Sequence, residues 1–276
     1  GSLERDQQGT KNIYNYNYWS SPVGPINAFT NNNNSTIDGV FKDGTNAASP
    51  ININWIGGYN GSAGTPISLA RFWLYKFQNV TPVYANWVQI LETSALAPSQ
   101  GFTLKGSGAA TADQNYTFIG KPFNGTITNP IAGNNVNLSG NPYASALDAD
   151  AFINDNNSSL TGTVYFWEHY TTNNSHNLAE YQGGYAARNL TGGTPPVSPA
   201  LISGLGSSTR IPGRFIPVGQ GFFVYANATG GNIVFNNSQR LFVKEDNVSS
   251  NVMFKNATVV NADDTYTEDT FAKIRL

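Results

Sequence analysis

Residues Tyr18-Trp19-Ser20-Ser21-Pro22-Val23 return in altered form as Leu138-Ser139-Gly140-Asn141-Pro142-Tyr143. The two prolines lie 120 positions apart, and each follows a small polar residue. An internal repeat has to be recognised before other signals, because missing it misreads the whole fold. The first question for this chain is therefore whether a second landmark shares the same spacing.

A second pair of related stretches does share it. Ala97-Pro98-Ser99-Gln100-Gly101-Phe102 corresponds to Pro217-Val218-Gly219-Gln220-Gly221-Phe222, again 120 positions later. We therefore predict two similar β units, at residues 12–129 and 130–246, and we place C-terminal strands that could begin a further domain at 247–276. The alternative, in which both halves merely share a β-protein composition, remains open at this point.

The composition favours an all-β fold. Aromatic residues make up 13% of the 276-residue chain, whereas charged residues make up only 12%, about half the usual share. Asparagine and glycine are abundant, and both tolerate the positive φ angles that tight turns need. Many short strands joined by turns predict an antiparallel β-sandwich or jelly-roll-like architecture with two similar pseudo-repeat units and one short helix.

Local patterns place the elements. Alternation favours strands at Ser68–Phe77 and Gly221–Ala226, and Thr191–Pro196 is typical of a turn. The sequence Ser145-Ala146-Leu147-Asp148 has the form of a capping box, which predicts the helix from that point. A counterpart of this helix is expected around Ile37-Asp38-Gly39-Val40-Phe41 in the first half.

Several function classes are excluded by composition and motifs. A net charge of -2 without any basic run argues against nucleic-acid binding, and the chain has no apolar run long enough for membrane insertion. The absence of cysteine excludes thiol catalysis and cysteine-ligated metals. No nucleophile elbow, phosphate-binding loop or dinucleotide fingerprint occurs, so we expect that the protein is not an enzyme.

Several phrases resemble a group of secreted and cell-surface proteins of the Bacteroidetes phylum, which are typically exported by the type IX secretion system. The phrases are Tyr16-Asn17-Tyr18-Trp19-Ser20-Ser21-Pro22-Val23, Phe118-Ile119-Gly120-Lys121-Pro122-Phe123-Asn124-Gly125-Thr126-Ile127, Leu138-Ser139-Gly140-Asn141-Pro142-Tyr143, Ala146-Leu147-Asp148-Ala149-Asp150-Ala151-Phe152-Ile153, Phe166-Trp167-Glu168-His169, Tyr181-Gln182-Gly183-Gly184-Tyr185-Ala186, Gly219-Gln220-Gly221-Phe222-Phe223-Val224 and Phe235-Asn236-Asn237-Ser238-Gln239-Arg240.

The resemblance implies an extracellular or outer-surface location and a structural or adhesive role inside a large exported protein. Such proteins carry a C-terminal sorting domain, through which the export machinery would be a partner. No recognisable sorting domain follows Leu276, so we expect that it lies outside this sequence. The resemblance does not supply an activity.

Aromatic side chains in loops suggest an alternative role as a carbohydrate-binding module. Sugars present apolar C–H faces that stack on aromatic rings, and an extracellular glycan or surface polymer would be the partner. Trp55 and Tyr59 lie in Asn54-Trp55-Ile56-Gly57-Gly58-Tyr59-Asn60, where a glycine-rich turn would expose them. They are the predicted ligand contacts, and their alternative role is to anchor the loop.

Two clusters are candidates for metal binding. Asp148, Asp150, Asp155 and Asn157 supply the oxygen ligands that calcium prefers, although their spacing is not that of an EF-hand. The alternative for them is helix capping followed by a solvated turn. A second acidic patch comprises Asp263, Asp264, Glu268 and Asp269.

The two histidines, His169 and His176, form a third cluster with Glu168. On adjacent strands or across a tight loop these side chains could share a metal ion. Their spacing is not a recognised zinc pattern, and hydrogen bonding to the surrounding loops is the alternative.

Overall fold

A computed structural model describes residues 1–111, 113–170, 173–199 and 202–243 of the chain. It confirms the all-β prediction, since antiparallel strands dominate and helices are short. The predicted strands beyond residue 243 and the acidic patch at residues 263–269 lie outside the part that the structure describes.

The first half of the chain contains one helix, α1, and ten strands. Helix α1 is Ile37–Val40. The strands are β1 (Leu3–Thr10), β2 (Tyr16–Ser20), β3 (Val23–Gly24), β4 (Phe41–Asp43), β5 (Asn54–Ile56), β6 (Ser68–Ala70), β7 (Tyr75–Lys76), β8 (Val88–Gln89), β9 (Gly101–Lys105) and β10 (Asp113–Pro122).

In the second half, the described residues form helix α2, Ala149–Asp155, and ten further strands. These strands are β11 (Ile127–Ala132), β12 (Val136–Gly140), β13 (Ala146–Asp148), β14 (Leu160–His169), β15 (Gly183–Asn189), β16 (Gly192–Val197), β17 (Phe215–Ile216), β18 (Gly221–Ala226), β19 (Gly230–Phe235) and β20 (Arg240–Leu241).

Two larger sheets organise the molecule. In the first half, β10 pairs with β1, β3 and β4. In the second half, five strands run in the order β12-β18-β14-β15-β16. The remaining pairs are short: β2 with β9, β5 with β6, β7 with β8, β11 with β19, and β13 between β17 and β20.

The repeat seen in the sequence is present in the strand register. In the first half, β2 pairs with β9 so that Ser20 lies opposite Gly101. In the second half, β12 pairs with β18 so that Gly140 lies opposite Gly221, and both members of this pair are shifted by 120 positions. Pro22 and Pro142 therefore occupy the same place, two residues beyond equivalent strands.

The two strand pairs also cross each other reciprocally. The backbone N–H of Ser20 donates to the carbonyl of Gly219 at 2.9 Å, and that of Gly140 donates to the carbonyl of Ser99 at 3.0 Å. The donors Ser20 and Gly140 are 120 positions apart, and so are the acceptors Ser99 and Gly219, but each donor bonds to the acceptor of the other half. A local two-fold relation therefore links the halves. The limits of the units at residues 12, 129 and 246 stay a prediction, because β1 precedes the first limit and β11 spans the second.

Glycine is required where the strand pairs cross. A Cβ at Gly101 would lie 2.6 Å from Leu138 Cγ and 2.9 Å from the Ser139 carbonyl oxygen. A Cβ at Gly221 would lie 2.8 Å from the Tyr18 carbonyl carbon. Real Cβ atoms do not approach backbone atoms this closely, so the Gln-Gly-Phe landmark of each half marks a close contact between backbones.

Three apolar clusters fill the part of the molecule that the structure describes. The first core lies in the first half between β2–β9 and β10, and the second core lies between the five-stranded sheet and α2. The third, here called the interface core, joins the halves, since it brings Tyr18 and Phe77 against Leu138, Trp167 and Phe223. Burial of such large side chains contributes about 1.5–3 kcal/mol each, so the interface core makes the halves mutually dependent.

The helix prediction is confirmed in position but not in its cap. Asp148, rather than Ser145, caps α2, because its side chain accepts from the backbone N–H groups of Asp150 and Ala151. Residues 146–148 instead form β13, where pairing with two strands that are distant in sequence overrides the local helical signal. The expected counterpart in the first half is α1.

Two other local predictions were wrong. The run Ser68–Phe77 is not one strand, because a 3-10 turn at Arg71–Trp73 divides it. Of the turn predicted at Thr191–Pro196, only Thr191 lies in a turn; the rest belongs to strand β16, which lies at the edge of its sheet. Proline is tolerated there because an edge strand does not need every N–H for pairing.

Replacing Gly221 with alanine should destabilise the fold by about 1–3 kcal/mol, because the added methyl group overpacks the backbone crossing. Gly101→Ala should lower the unfolding free energy by a similar amount, because the crossing is reciprocal. Urea unfolding followed by tryptophan fluorescence would measure both changes.

The matched control is Gly57→Ala, where the added Cβ would meet no atom within 4 Å. We expect its unfolding free energy to equal that of the wild type. If Gly221→Ala unfolded at the same urea concentration as this control, the crossing would not be the tight constraint described.

Candidate functional site

An open groove of about 320 Å³ lies on the surface of the first half. Its lining residues come from the loop after β5, from the 3-10 turn after β6, and from β8 with the residues that follow it; they are Gly57, Gly58, Arg71, Phe72, Gln89, Ile90, Leu91 and Ser94. The 3-10 turn interrupts the expected strand, so its residues do not follow the alternation of a strand. The groove therefore combines an apolar wall with several polar groups.

The two predicted aromatic residues flank this groove in different ways. Tyr59 is 57% exposed, and its ring meets that of Phe72 edge-on at 4.7 Å. Trp55 is half-buried against the first core, and its carbonyl oxygen accepts from Arg71 at 2.9 Å. Tyr59 thus offers an exposed ring beside the groove, whereas Trp55 contacts the groove residue Arg71 only through its carbonyl oxygen. Direct ligand contact by either one stays a prediction.

The polar groups of the groove are held in place by neighbours. Arg71 Nη2 donates to Glu92 Oε1 at 2.8 Å, so the guanidinium charge is balanced within the wall. Gln89 Nε2 donates to the carbonyl oxygen of Phe72 at 3.0 Å, which directs the rest of the amide outward. Ser94 Oγ accepts from the backbone of Leu91 at 3.0 Å and keeps its own proton to donate. The groove is thus a nearly neutral surface with fixed hydrogen-bonding groups.

A buried lysine supports the wall that carries Tyr59. Lys105 Nζ lies 3.6 Å from the centre of the Trp73 ring and 4.4 Å from that of Tyr16, so its ammonium is held by cation–π contacts. It also donates to His176 Nδ1 at 3.0 Å, while His176 Nε2 donates to Asn60 Oδ1 at 2.7 Å. These contacts join the first half to a loop of the second half.

The electrostatics of this cluster follow from its burial. Burial lowers the pKa of Lys105 to about 7. Burial and the neighbouring Lys105 lower the pKa of His176 to about 4, so the imidazole is neutral at pH 7 and can accept from the lysine. Trp73 completes the link to the groove, because its Nε1 donates to the Tyr59 carbonyl at 2.6 Å.

The three carboxylates among the predicted calcium ligands all have protein partners, whereas Asn157 is exposed in the turn after α2. Asp148 receives two hydrogen bonds from Arg214, and Asp150 pairs with Arg188 at 2.7 Å. Burial alone would raise the pKa of Asp148, but the bonds from Arg214 and from the backbone of α2 hold it below its usual value.

The last carboxylate of that set, Asp155, accepts from Asn236 and Gln239 at 2.9 and 2.8 Å. Within residues 1–243, apart from the short gaps, no group of three or more histidine or carboxylate side chains could hold a metal ion. Calcium binding at Asp148, Asp150, Asp155 and Asn157 stays a prediction, and any ion would compete there with arginine and amide partners.

The histidine cluster is divided by the fold. His176 contacts Lys105 in the first half, whereas His169 is buried at the end of β14. Burial raises the pKa of Glu168 to about 7, although Arg210 and Ser208 act in the opposite direction. Adjacent residues of a strand point to opposite faces, so Glu168 and His169 do not converge on one ion.

Phe72, Gln89 and Lys105 are site residues that sequence reasoning missed. Phe72 was assigned to a regular strand, in which its neighbour Trp73 would take the opposite face. One signal was available: Lys105 directly follows the largely apolar run Gly101–Leu104, and a lysine in such a strand is unusual unless its charge finds a specific partner. The partner itself, more than 70 residues away, could not be read from the sequence.

In the part of the chain that the structure describes, no helix has the length and apolar character needed to cross a membrane.

A family model described as Domain of unknown function (DUF8693) matches residues 1–271. No curated protein and no solved structure matches the chain.

The buried lysine should make stability depend on pH. The pKa of Lys105 is lower in the folded protein than in the unfolded chain, so the unfolded state binds the extra proton between about pH 7 and 10. Unfolding free energy should therefore rise from pH 7 to pH 9, by up to about 1.4 kcal/mol per pH unit from this group. This gain in unfolding free energy should be lost again as the pH falls back toward 7.

Lys105→Met keeps the apolar stem and removes the titrating group, so the rise between pH 7 and 9 should disappear in urea titrations. Lys105→Arg keeps a permanent charge and should also lack it. An identical pH slope in the wild type and both variants would show that Lys105 does not titrate in this range.

Proposed function

This chain belongs to the family described as domain of unknown function DUF8693, and we propose that it is a non-catalytic β-sandwich module that binds carbohydrate at the outer surface of a bacterial cell. The observation that carries the proposal is the exposed Tyr59 ring, held against Phe72 at the side of an open groove. Location outside the cell rests on the resemblance to exported surface proteins.

The chemistry of the groove suits a sugar. Phe72 and Leu91 offer an apolar wall for the C–H face of a pyranose ring. Tyr59, beside the groove, offers an aromatic face on which the sugar can stack. Gln89 and Ser94 offer an acceptor and a donor for hydroxyl groups. Small-molecule sites generally combine such an apolar lining with a few fixed polar groups.

The rigidity of the wall favours binding. Two hydrogen bonds fix the turn that carries Tyr59: Trp73 donates to the Tyr59 carbonyl, and His176 donates to Asn60. Lys105 in turn holds His176 in place. A ligand that stacks on a ring already held in place loses less conformational freedom than one that must order a loop. This support spans both halves of the chain.

The proposal of a non-catalytic role is supported by the location of the perturbed titratable groups. Lys105 and Glu168, whose pKa values both lie near 7, are buried and do not line the groove. A general acid or base has to reach the substrate proton within hydrogen-bonding distance. The groove residues themselves include one arginine, already paired with Glu92.

A purely structural module of a surface protein is the second candidate function. The interface core favours it, because it makes the two halves one stiff unit that could act as a spacer. This role predicts that exposed residues of the groove can be changed without consequence. The two candidates therefore differ in a measurable way.

We expect the recombinant protein to bind at least one uncharged glycan on an array of extracellular and plant or microbial polysaccharides. Tyr59→Ala should weaken that binding at least tenfold in isothermal titration calorimetry, a loss of about 1.4 kcal/mol. The control is Phe29→Ala, which removes a fully exposed aromatic ring that is not among the residues lining the groove.

Equal loss in the control, or no retained glycan at all, would leave the structural role as the better account. Running the array with calcium and again with a chelator tests the calcium prediction in the same experiment. Unchanged thermal unfolding of Tyr59→Ala would show that the loss of binding is not a loss of fold.

A further inference from the structure

The ribbon formed by β7 and β8 extends away from the groove. Tyr75 lies directly opposite Gln89 in this antiparallel pair, so the two side chains share one face. Leu91 lines the groove together with Gln89, and the contact of the Trp87 ring with Tyr75 places Trp87 on the same side of the ribbon. Because Gln89 and Leu91 line the groove, the same face continues from the groove toward Tyr75 and Trp87.

The ring contacts agree with this arrangement. Trp87 lies 6.5 Å from Tyr75 and 5.1 Å from Phe77, which is two residues beyond Tyr75 on the same face. Trp87 also meets Tyr18 and Phe223 edge-on at ring-centre distances of 6.1 and 5.7 Å, so it packs against the interface core. The aromatic end of the face therefore rests on both halves of the chain.

Tyr84 forms the exposed rim at that end. Its side chain is 54% exposed. Tyr84 begins the 3-10 turn Tyr84–Asn86, and its carbonyl oxygen accepts from the backbone N–H of Trp87 at 3.2 Å, which places Tyr84 next to this end of the ribbon. Tyr84 and Tyr75 can offer both a stacking surface and hydroxyl groups to a ligand.

The strip carries no charge along its length. Lys76, opposite Val88, points to the other face of the ribbon, and Arg71 in the groove is paired with Glu92. The strip from Trp87 to Leu91 comprises five residues, and the four steps between them cover about 13 Å at the usual rise of a strand. This length exceeds that of a single sugar ring.

On the basis of the proposed carbohydrate function, we infer that the ligand is a linear, uncharged oligosaccharide that runs from the groove over Gln89 and Tyr75 and ends against Tyr84. The groove holds one end through Tyr59 and Phe72. The ribbon face supplies further stacking positions, which a monosaccharide or disaccharide cannot reach.

Calorimetry with a length series tests this inference, with cello-oligosaccharides and manno-oligosaccharides from the disaccharide to the hexasaccharide as probes, together with any array hit. Affinity should rise at least tenfold from the disaccharide to the hexasaccharide. Tyr84→Ala should abolish that gain and leave the disaccharide affinity unchanged, whereas Tyr59→Ala should weaken every length. Tyr84→Phe keeps the ring and should retain most of the gain.

The outcomes separate the two proposals. Binding of short chains without any gain for long ones would overturn the extended site and leave the carbohydrate function intact. Failure of every glycan, whatever its length, would overturn both. Equal affinity for an oligogalacturonate of the same length, which carries carboxylates, would contradict an uncharged ligand.

Discussion

The close crossing of two strand pairs is the constraint on which the rest of the molecule depends. At Gly101 and Gly221 one backbone passes over another without room for a Cβ, and reciprocal hydrogen bonds tie Ser20 to Gly219 and Gly140 to Ser99. Because the contact is made by backbones, it fixes the orientation of the halves more strictly than side-chain packing could. A residue with a side chain at either glycine would force the pairs apart.

This orientation creates the surroundings of the candidate site. It places Trp87 and Phe77, from the first half, on the aromatic face of the five-stranded sheet in the second half. It also brings His176 to Lys105, and thereby ties down the turn that carries Tyr59. The groove belongs to the first half by its lining, yet its stiffness comes from contacts between the halves.

The candidate site could be predicted only in part. Tyr59 was identified because a glycine-rich turn exposes whatever side chain it carries, which is a local property. Sequence reasoning did not identify Phe72, Gln89 and Tyr84. Their exposure depends on 3-10 turns and on a two-stranded ribbon, and no local alternation of side chains predicts these elements. The carboxylates near α2 show the opposite case. Their composition suggested calcium, but Arg188 in β15 and Arg214 just before β17 are distant in sequence and pair with the same carboxylates.

The sequence by itself determined the all-β class and the spacing of the repeat. Turn residues, aromatic alternation and the position of two glycines are local, so the same short stretches specify the same strand pair in each half. Only the tertiary structure decided which residues meet across those pairs, including Lys105 with His176 and β13 with two later strands. Such partners are chosen by burial and by backbone pairing between distant segments, which leave no periodic trace in the chain.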